Sequence, residues 1–453
     1  MIQPNTEPRT VPKNIGSGAR ENYDKDFNRR KIYAALLILL AMFVAGTGLG
    51  FALAPKKSAT QSANKITAPH TAFLMELYEQ IQANYWEKVD DDKLINLYKL
   101  ALEKASGQPQ TLNKPSRATL TELLTREIDK IDADKKRDFV VTISDLVLAN
   151  LTPAGRSRLY SQKAEKDLRN KVAGIDKSAD LYKVLGVSSQ ASETEIKKAY
   201  EAKNQELLNK TGPEAEATKK DLSRAFATLS EVDKKARYDK TGAEPSIDKK
   251  ELASDIIYFK FKQISPTFLD EFKENISGTA TMPNNSSMII DLRGNIGGAV
   301  ETLPYLLGFW LGQNQYAYDY FKQGEPESYR TKTDKLIGLD KFTKIVALVD
   351  KNTASSAEIF ATALKRFNLG VVLGTSTRGQ GTVENFFPLR TKISEDETFS
   401  ALIVRAVTLR DDGQPIEGRG IEPDIKLDDK NWAEQLLQYY NSPSLIEAVK
   451  KII

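Results

Sequence analysis

The sequence predicts a multidomain protein of α plus α/β class: an N-terminal transmembrane helix, a helical region, a small helical hairpin module and a mixed α/β core. Three observations predict it. Residues 32–54 (IYAALLILLAMFVAGTGLGFALA) are almost wholly apolar with no polar face, about the length a bilayer-spanning helix needs. Apolar residues then recur at helical spacing from Phe73 onward. Beyond Ala253, apolar runs of strand length alternate with helical stretches to about Ile421, the pattern of a mixed α/β sheet.

Residues 1–31 are polar, charged and without apolar periodicity, and read as a disordered cytoplasmic tail. Arg29, Arg30 and Lys31 precede the apolar run and Lys56 and Lys57 follow it, a slight bias toward a cytoplasmic N-terminus. A cleavable signal peptide is the competing reading, since Ala52-Leu53-Ala54 resembles a cleavage site. Pro55 argues against cleavage, so the expectation is a single-pass membrane anchor at 32–54 with the bulk of the chain extracytoplasmic. A linker follows at 55–70.

The helical N-terminal region spans 71–172. Phe73, Leu74, Leu77, Tyr78 and Ile81 mark one helix, and Leu94, Leu97, Tyr98 and Leu102 the next. Asp90, Asp91 and Asp92 supply capping carboxylates between them. More helices run to Lys171, broken near Pro153-Ala154-Gly155, with Glu122, Glu127, Asp129 and Asp132 read as a solvated face. Residues 178–242 carry Leu185, Ile196, Ala199, Tyr200, Ala225, Phe226 and Leu229 at the spacings of a small antiparallel hairpin. The α/β core spans 250–428, and terminal helices occupy 429–453.

Composition narrows the chemistry. Lys plus Arg number 65 against 61 Asp plus Glu, a net charge of +4 with both signs interleaved. No basic face with stacking aromatics is present, so nucleic acid is not an expected partner. The absence of cysteine removes disulfides, thiolate nucleophiles and cysteine zinc sites together. No cofactor and no metal site is expected. The single histidine, His70, lies far from the candidate nucleophile in sequence, which favours a surface or packing role over a Ser-His-Asp triad.

That nucleophile is Ser355. The apolar run 345–349 reads as a buried strand, and Thr353-Ala354-Ser355-Ser356-Ala357 then opens a helix with Glu358 in its first turn. A serine at such a junction sits beside unpaired backbone N–H groups at the positive end of the helix dipole, where an oxyanion is stabilised. A second strand at 370–374 and a tight turn at Gly379-Gln380-Gly381 follow. Upstream, a strand through Leu292 ends in Arg293-Gly294-Asn295-Ile296-Gly297-Gly298, whose glycines let the backbone approach a bound group.

The stretch 352–383 resembles the active-site segment of the C-terminal processing (tail-specific) serine proteases, which use a serine–lysine dyad on an α/β sheet. The glycine loop, the closing Gly418-Arg419-Gly420-Ile421-Glu422-Pro423-Asp424 and the helical block LMELYEQIQANYWEKVDDDKLINLYKLALEKA are similar to the same family, in the correct order. The resemblance implies Ser355 as nucleophile and a polypeptide substrate. It places Gln380 where the family carries its general-base lysine. Given Ser355, the amide of Ser356 and that of one of the two glycines Gly297 and Gly298 are the expected oxyanion donors.

A second resemblance covers 178–242. Asp180-Leu181-Tyr182-Lys183-Val184-Leu185-Gly186, Glu195-Ile196-Lys197-Lys198-Ala199-Tyr200, Ala225-Phe226-Ala227-Thr228-Leu229 and Tyr238-Asp239 are similar to a J-domain, the helical co-chaperone module. Leu208-Asn209-Lys210 stands where that module has its His-Pro-Asp turn. The implied outcome is a retained fold without the ATPase-stimulating activity, used as a spacer or as a docking surface for a chaperone or another protein. It occupies the slot where the protease family usually has a PDZ domain.

Glutamine has no basicity to offer a serine hydroxyl. Two expectations follow: a membrane-anchored serine peptidase of impaired activity, or a non-catalytic binding or scaffold protein on a peptidase fold. Should another base act, Lys365, Glu358 and His70 are the candidates in that order.

Overall fold

The computed structural model describes residues 68–175 and 180–453. The tail 1–31, the apolar run 32–54 and most of the linker lie outside the described residues, and no described helix is long and apolar enough to cross a membrane.

Four helices open the described chain: α1 (Pro69–Asn84), α2 (Asp91–Ser106), α3 (Arg117–Asp129) and α4 (Lys136–Ala149). Asp90 caps α2 by accepting from the Lys93 amide at 2.8 Å, and Ser116 caps α3 through a reciprocal pair with Thr119. Phe73, Leu77, Tyr98, Leu124 and Val147 fill the core of this bundle. Glu127, expected on a solvated face, is buried and ion-paired with Arg126 and Lys130. The segment Arg158–Ser161, expected as helical, is strand β1, and α5 (Gln162–Val172) follows it.

The hairpin module consists of α6 (Leu181–Leu185), α7 (Glu193–Leu207), α8 (Pro213–Leu229) and α9 (Val232–Thr241). Leu185, Ile196, Leu222, Ala225 and Leu229 form its small core, and Tyr200 stacks on Phe226 with ring centres 4.1 Å apart. Arg237 of α9 reaches Glu271 at 3.1 Å, a carboxylate only 3% exposed that also accepts the amides of Ser246 and Ile247. That buried pair ties the module to the α/β core.

The core is built on a six-stranded sheet in the order β11-β8-β7-β4-β3-β2. Its strands are β2 (Ile247–Ala253), β3 (Ile256–Phe261), β4 (Ser286–Asp291), β7 (Phe342–Val349), β8 (Val371–Gly374) and β11 (Ile425–Lys426). All neighbours run parallel except the β2/β3 pair. Alternation sorts β7 cleanly: Ile345, Ala347 and Val349 face one helical layer, Val346 and Leu348 the other. The first layer holds α10 (Phe268–Ser277), α11 (Leu303–Leu311) and α12 (Ser356–Arg366); the second holds α13 (Trp432–Tyr440) and α14 (Pro443–Lys450).

A second sheet joins β1, β10 (Phe399–Thr408), β5 (Tyr316–Lys322) and β6 (Glu325–Arg330), with β9 (Thr382–Leu389) also paired to β10. Arg158 stands opposite Leu402, so the helical region donates a strand to the core. Leu389, Phe399, Ile403 and Val404 in turn complete the hydrophobic core of the four-helix bundle.

Candidate active site

Ligands of parallel α/β sheets bind outside the carboxyl ends of the strands. Four such ends converge here: residues 262–264 after β3, 292–299 after β4, 350–355 after β7 and 375–381 after β8.

The segment after β7 is held from within and from its neighbour. Asp350 Oδ1 accepts the amides of Gly294 at 2.8 Å and of Thr353 at 3.0 Å, and the Thr353 hydroxyl donates to the Leu292 carbonyl at 2.9 Å. The Ala354 amide donates to the Asn295 carbonyl at 2.8 Å. Ser355 is thereby forced to φ 58° and ψ −129°, a conformation L-residues avoid at a cost of about 1–3 kcal/mol. The strained turn from strand to helix lifts the serine into the site, half-buried, as a nucleophile elbow does. Among the described residues, no titratable side chain hydrogen-bonds to its hydroxyl.

Glu358 organises the other side. Its carboxylate is fully buried and accepts four donors. Oε2 receives the Ser355 and Gln380 amides, each at 2.8 Å; Oε1 receives the Gly379 amide at 2.8 Å and the Thr377 hydroxyl. Burial pushes the Glu358 pKa up, and the hydrogen bonds from Thr377 and the three amides oppose that rise. One oxygen atom therefore joins the backbone of Ser355 to that of Gln380, bringing the two positions together across 25 residues of sequence. The Gln380 side chain makes no hydrogen bond to another described residue. Thr408 of β10 closes the turn from outside, donating its amide to the Gly381 carbonyl at 2.7 Å.

The glycine loop packs directly on the serine. A Cβ on Gly297, whose φ is +93°, would stand 2.6 Å from the Ser355 Cβ, so only glycine permits this approach. Of the two glycines expected to offer an oxyanion donor, Gly297 donates its amide to Asn295 Oδ1 at 2.8 Å. Asn295 is fully buried and its Nδ2 donates to the Phe261 carbonyl at 2.9 Å, fixing its orientation. The amides of Gly298 and of Ser356, the first residue of α12, carry no hydrogen bond within the described residues and remain the donors open to an oxyanion.

The other candidates lie elsewhere. Lys365 Nζ donates to the Glu422 carbonyl at 2.6 Å and faces Asp424 at 3.5 Å. Ten residues along α12 from Ser355, it stands about 15 Å away. His70 sits on α1 in the helical bundle, where burial and the charge of Lys136 lower its pKa. Asn295 and Thr377 were not singled out from the sequence; their partners Phe261 and Glu358 lie 34 and 19 residues distant, and no local pattern marks them.

A strained serine at the start of a helix, backed by open amides at the carboxyl edge of a parallel sheet, has the geometry of a serine-nucleophile site. Residues 255–427 match the model of peptidase family S41, and residues 180–239 match the DnaJ domain. The chain carries a peptidase S41 domain of the C-terminal processing group of serine proteases, with a DnaJ domain ahead of it. It is 24% identical over 409 residues to the carboxy-terminal processing protease CtpA of Bacillus subtilis (strain 168), covering 89% of this chain and 77% of that one. To a "Probable CtpA-like serine protease" of Staphylococcus aureus (strain N315) it is 25% identical over 373 residues, 81% of this chain and 66% of the relative. Among solved structures, the photosystem II D1 C-terminal processing protease aligns with a TM-score of 0.45 at 13% identity, over 83% of this chain and 98% of that chain. A lipoprotein from Streptococcus agalactiae aligns with a TM-score of 0.43 at 12% identity, over 87% and 99%.

Proposed function

We propose that this chain is a membrane-anchored, extracytoplasmic protein of the C-terminal processing type that engages polypeptides at Ser355, with hydrolysis impaired because Gln380 occupies the position of the general base. The observation that carries the reading is the shared acceptor Glu358 Oε2, which sets the Gln380 backbone opposite the serine. In acyl transfer the Ser355 oxygen bonds to the substrate carbonyl carbon, its proton passes to a base, and the carbonyl oxygen gains charge beside the open amides. Every part of that scheme has a candidate here except the proton acceptor. Loss of a positioned base costs about a hundredfold to ten-thousandfold.

A second reading, a non-catalytic scaffold that docks proteins, draws support from the contact of the DnaJ-type module with the core through Arg237 and Glu271. Reaction of the purified protein with a fluorophosphonate probe separates the two. Slow but Ser355-dependent labelling supports the impaired peptidase; no labelling in the folded protein supports the scaffold.

A further inference from the structure

The turn that carries Gln380 is also held from outside the α/β core. The Gly381 amide donates to Glu417 Oε2 at 2.8 Å. A Cβ on Gly381 would stand 2.5 Å from the Glu417 amide nitrogen, so the turn and the segment 416–418 lie directly against each other. The Gly418 amide closes the far side by donating to the Gly379 carbonyl at 2.9 Å. The other carboxylate oxygen of Glu417, Oε1, accepts from Arg156 twice, from Nε at 3.1 Å and from Nη2 at 3.0 Å. Arg156 stands 261 positions earlier in the chain, in the loop between α4 and β1. The two side chains are only 29% and 15% exposed, and among the described residues Arg156 is the one ion-pair partner of Glu417. Two carboxylates therefore hold the three consecutive amides of the turn: Glu358 takes those of Gly379 and Gln380 from the serine side, and Glu417 takes that of Gly381 with the guanidinium of the helical region behind it.

Arg156 is itself fixed on both sides along its loop. Before it, the Thr152 carbonyl accepts the Tyr85 hydroxyl and, at 2.7 Å, Trp86 Nε1, both from just beyond α1. After it, Ser157 Oγ accepts the Val404 amide of β10 at 3.2 Å, and the Val404 carbonyl accepts the Trp86 amide at 3.0 Å. The loop is thus stapled to the bundle and to β10, the strand that pairs with β9 as it leaves the turn. A second carboxylate, Glu384 of β9, lies within reach of the same guanidinium's charge. Burial pushes its pKa up, the Thr382 hydroxyl and the Arg156 charge oppose that rise, and the charge of Glu417 adds to it. One arginine answers two carboxylates behind the turn, and without it like charges face each other there.

We propose that Arg156 is a positioning residue for the site: through Glu417 it holds the Gly379–Gly381 turn in place, so that the helical region, and not the α/β core alone, sets where the side chain at 380 stands relative to Ser355. The chain has no cysteine, so Gln380→Cys places a single thiol at that position, and its rate of alkylation by iodoacetamide, followed by mass spectrometry, reads how often the turn opens without requiring turnover. Loss of a charge-assisted contact shifts such an equilibrium about tenfold, so Arg156→Gln raises the rate about tenfold, Glu417→Gln raises it similarly, and the two together raise it no further than either alone. Arg156→Lys, which keeps the charge, restores most of the protection. Arg137→Gln, which breaks the ion pair of α4 with Glu397 elsewhere on the boundary between bundle and core, leaves the rate unchanged. In the Gln380→Lys chain, Arg156→Gln lowers kcat for peptide hydrolysis about tenfold with KM unchanged, because it displaces the base and not the bound peptide. Unchanged alkylation in Arg156→Gln, equal acceleration by Arg137→Gln, fully multiplicative effects of the Arg156 and Glu417 substitutions, or a change in KM alone overturns the proposal. The kinetic arm rests on the impaired-peptidase reading above: a Gln380→Lys chain that hydrolyses nothing counts against that reading, and the alkylation rates then decide the role of Arg156 by themselves.

Discussion

Glu358→Gln keeps the shape of a buried side chain while removing the charge that gathers the site. Glu358 holds the Ser355 and Gln380 amides on one oxygen and the Gly379 amide and Thr377 hydroxyl on the other. A glutamine retains one accepting oxygen and must turn an NH2 group toward two of those donors. Two hydrogen bonds to a charged acceptor are then lost, at about 1.5–3 kcal/mol each. Burying a neutral amide in place of a carboxylate returns part of that cost, roughly 1–3 kcal/mol. A net destabilisation of about 2–4 kcal/mol is expected. Urea unfolding followed by tryptophan fluorescence measures it, and fluorophosphonate labelling of Ser355 should fall in parallel because the serine turn loses its tie to the Gly379–Gln380 turn. A loss below about 1 kcal/mol, with labelling unchanged, would refute the view of Glu358 as the organiser of the site.

The remaining predictions concern packing, pH and topology. Gly297→Ala drives a Cβ within 2.6 Å of the Ser355 Cβ at a φ of +93°; it should cost about 1–3 kcal/mol and abolish probe labelling, and retention of both would contradict the close approach. Asp291 is buried, which raises its pKa, but Arg293 at 2.7 Å and Lys260 at 3.1 Å outweigh burial and hold it below the ordinary carboxylate value. Its stabilisation is therefore present above the unfolded-state pKa of about 3.9 and is lost as pH falls through the lower folded value. Acid titration of stability should show this slope, and Asp291→Asn should flatten it. The proposed topology exposes everything beyond Lys56 to external protease in spheroplasts, whereas digestion confined to the first thirty or so residues would invert it.

The parts of the fold legible in the sequence are those whose cause is local. β7 declares itself by an apolar run and α12 by its capping pattern, and the glycine loop by its spacing, because strand burial, helix entry and backbone clearance each act over a few residues. β1 was not legible: Arg158–Ser161 is short, polar and only partly buried, and it is a strand because β10 pairs with it from 240 residues downstream. The site divides the same way. Ser355 and the turn at Gln380 stand in recognisable local settings, but which amide of the glycine loop is open depends on Asn295, whose own orientation is set by Phe261 in a different strand. The sequence leaves open which of Gly297 and Gly298 offers its amide, and in the structure the Gly297 amide is taken by Asn295.

Gln380→Lys tests the central claim most directly. The position lies between Gly379 and Gly381, beside the serine through Glu358, and partial burial there lowers the pKa of a lysine while the nearby Glu358 carboxylate opposes that fall. Peptide hydrolysis by the variant is predicted to exceed that of the parent by about a hundredfold or more, and Ser355→Ala in the same background to abolish it. A parent chain that already cleaves peptides in a Ser355-dependent way, at a rate the lysine does not raise, would contradict the account.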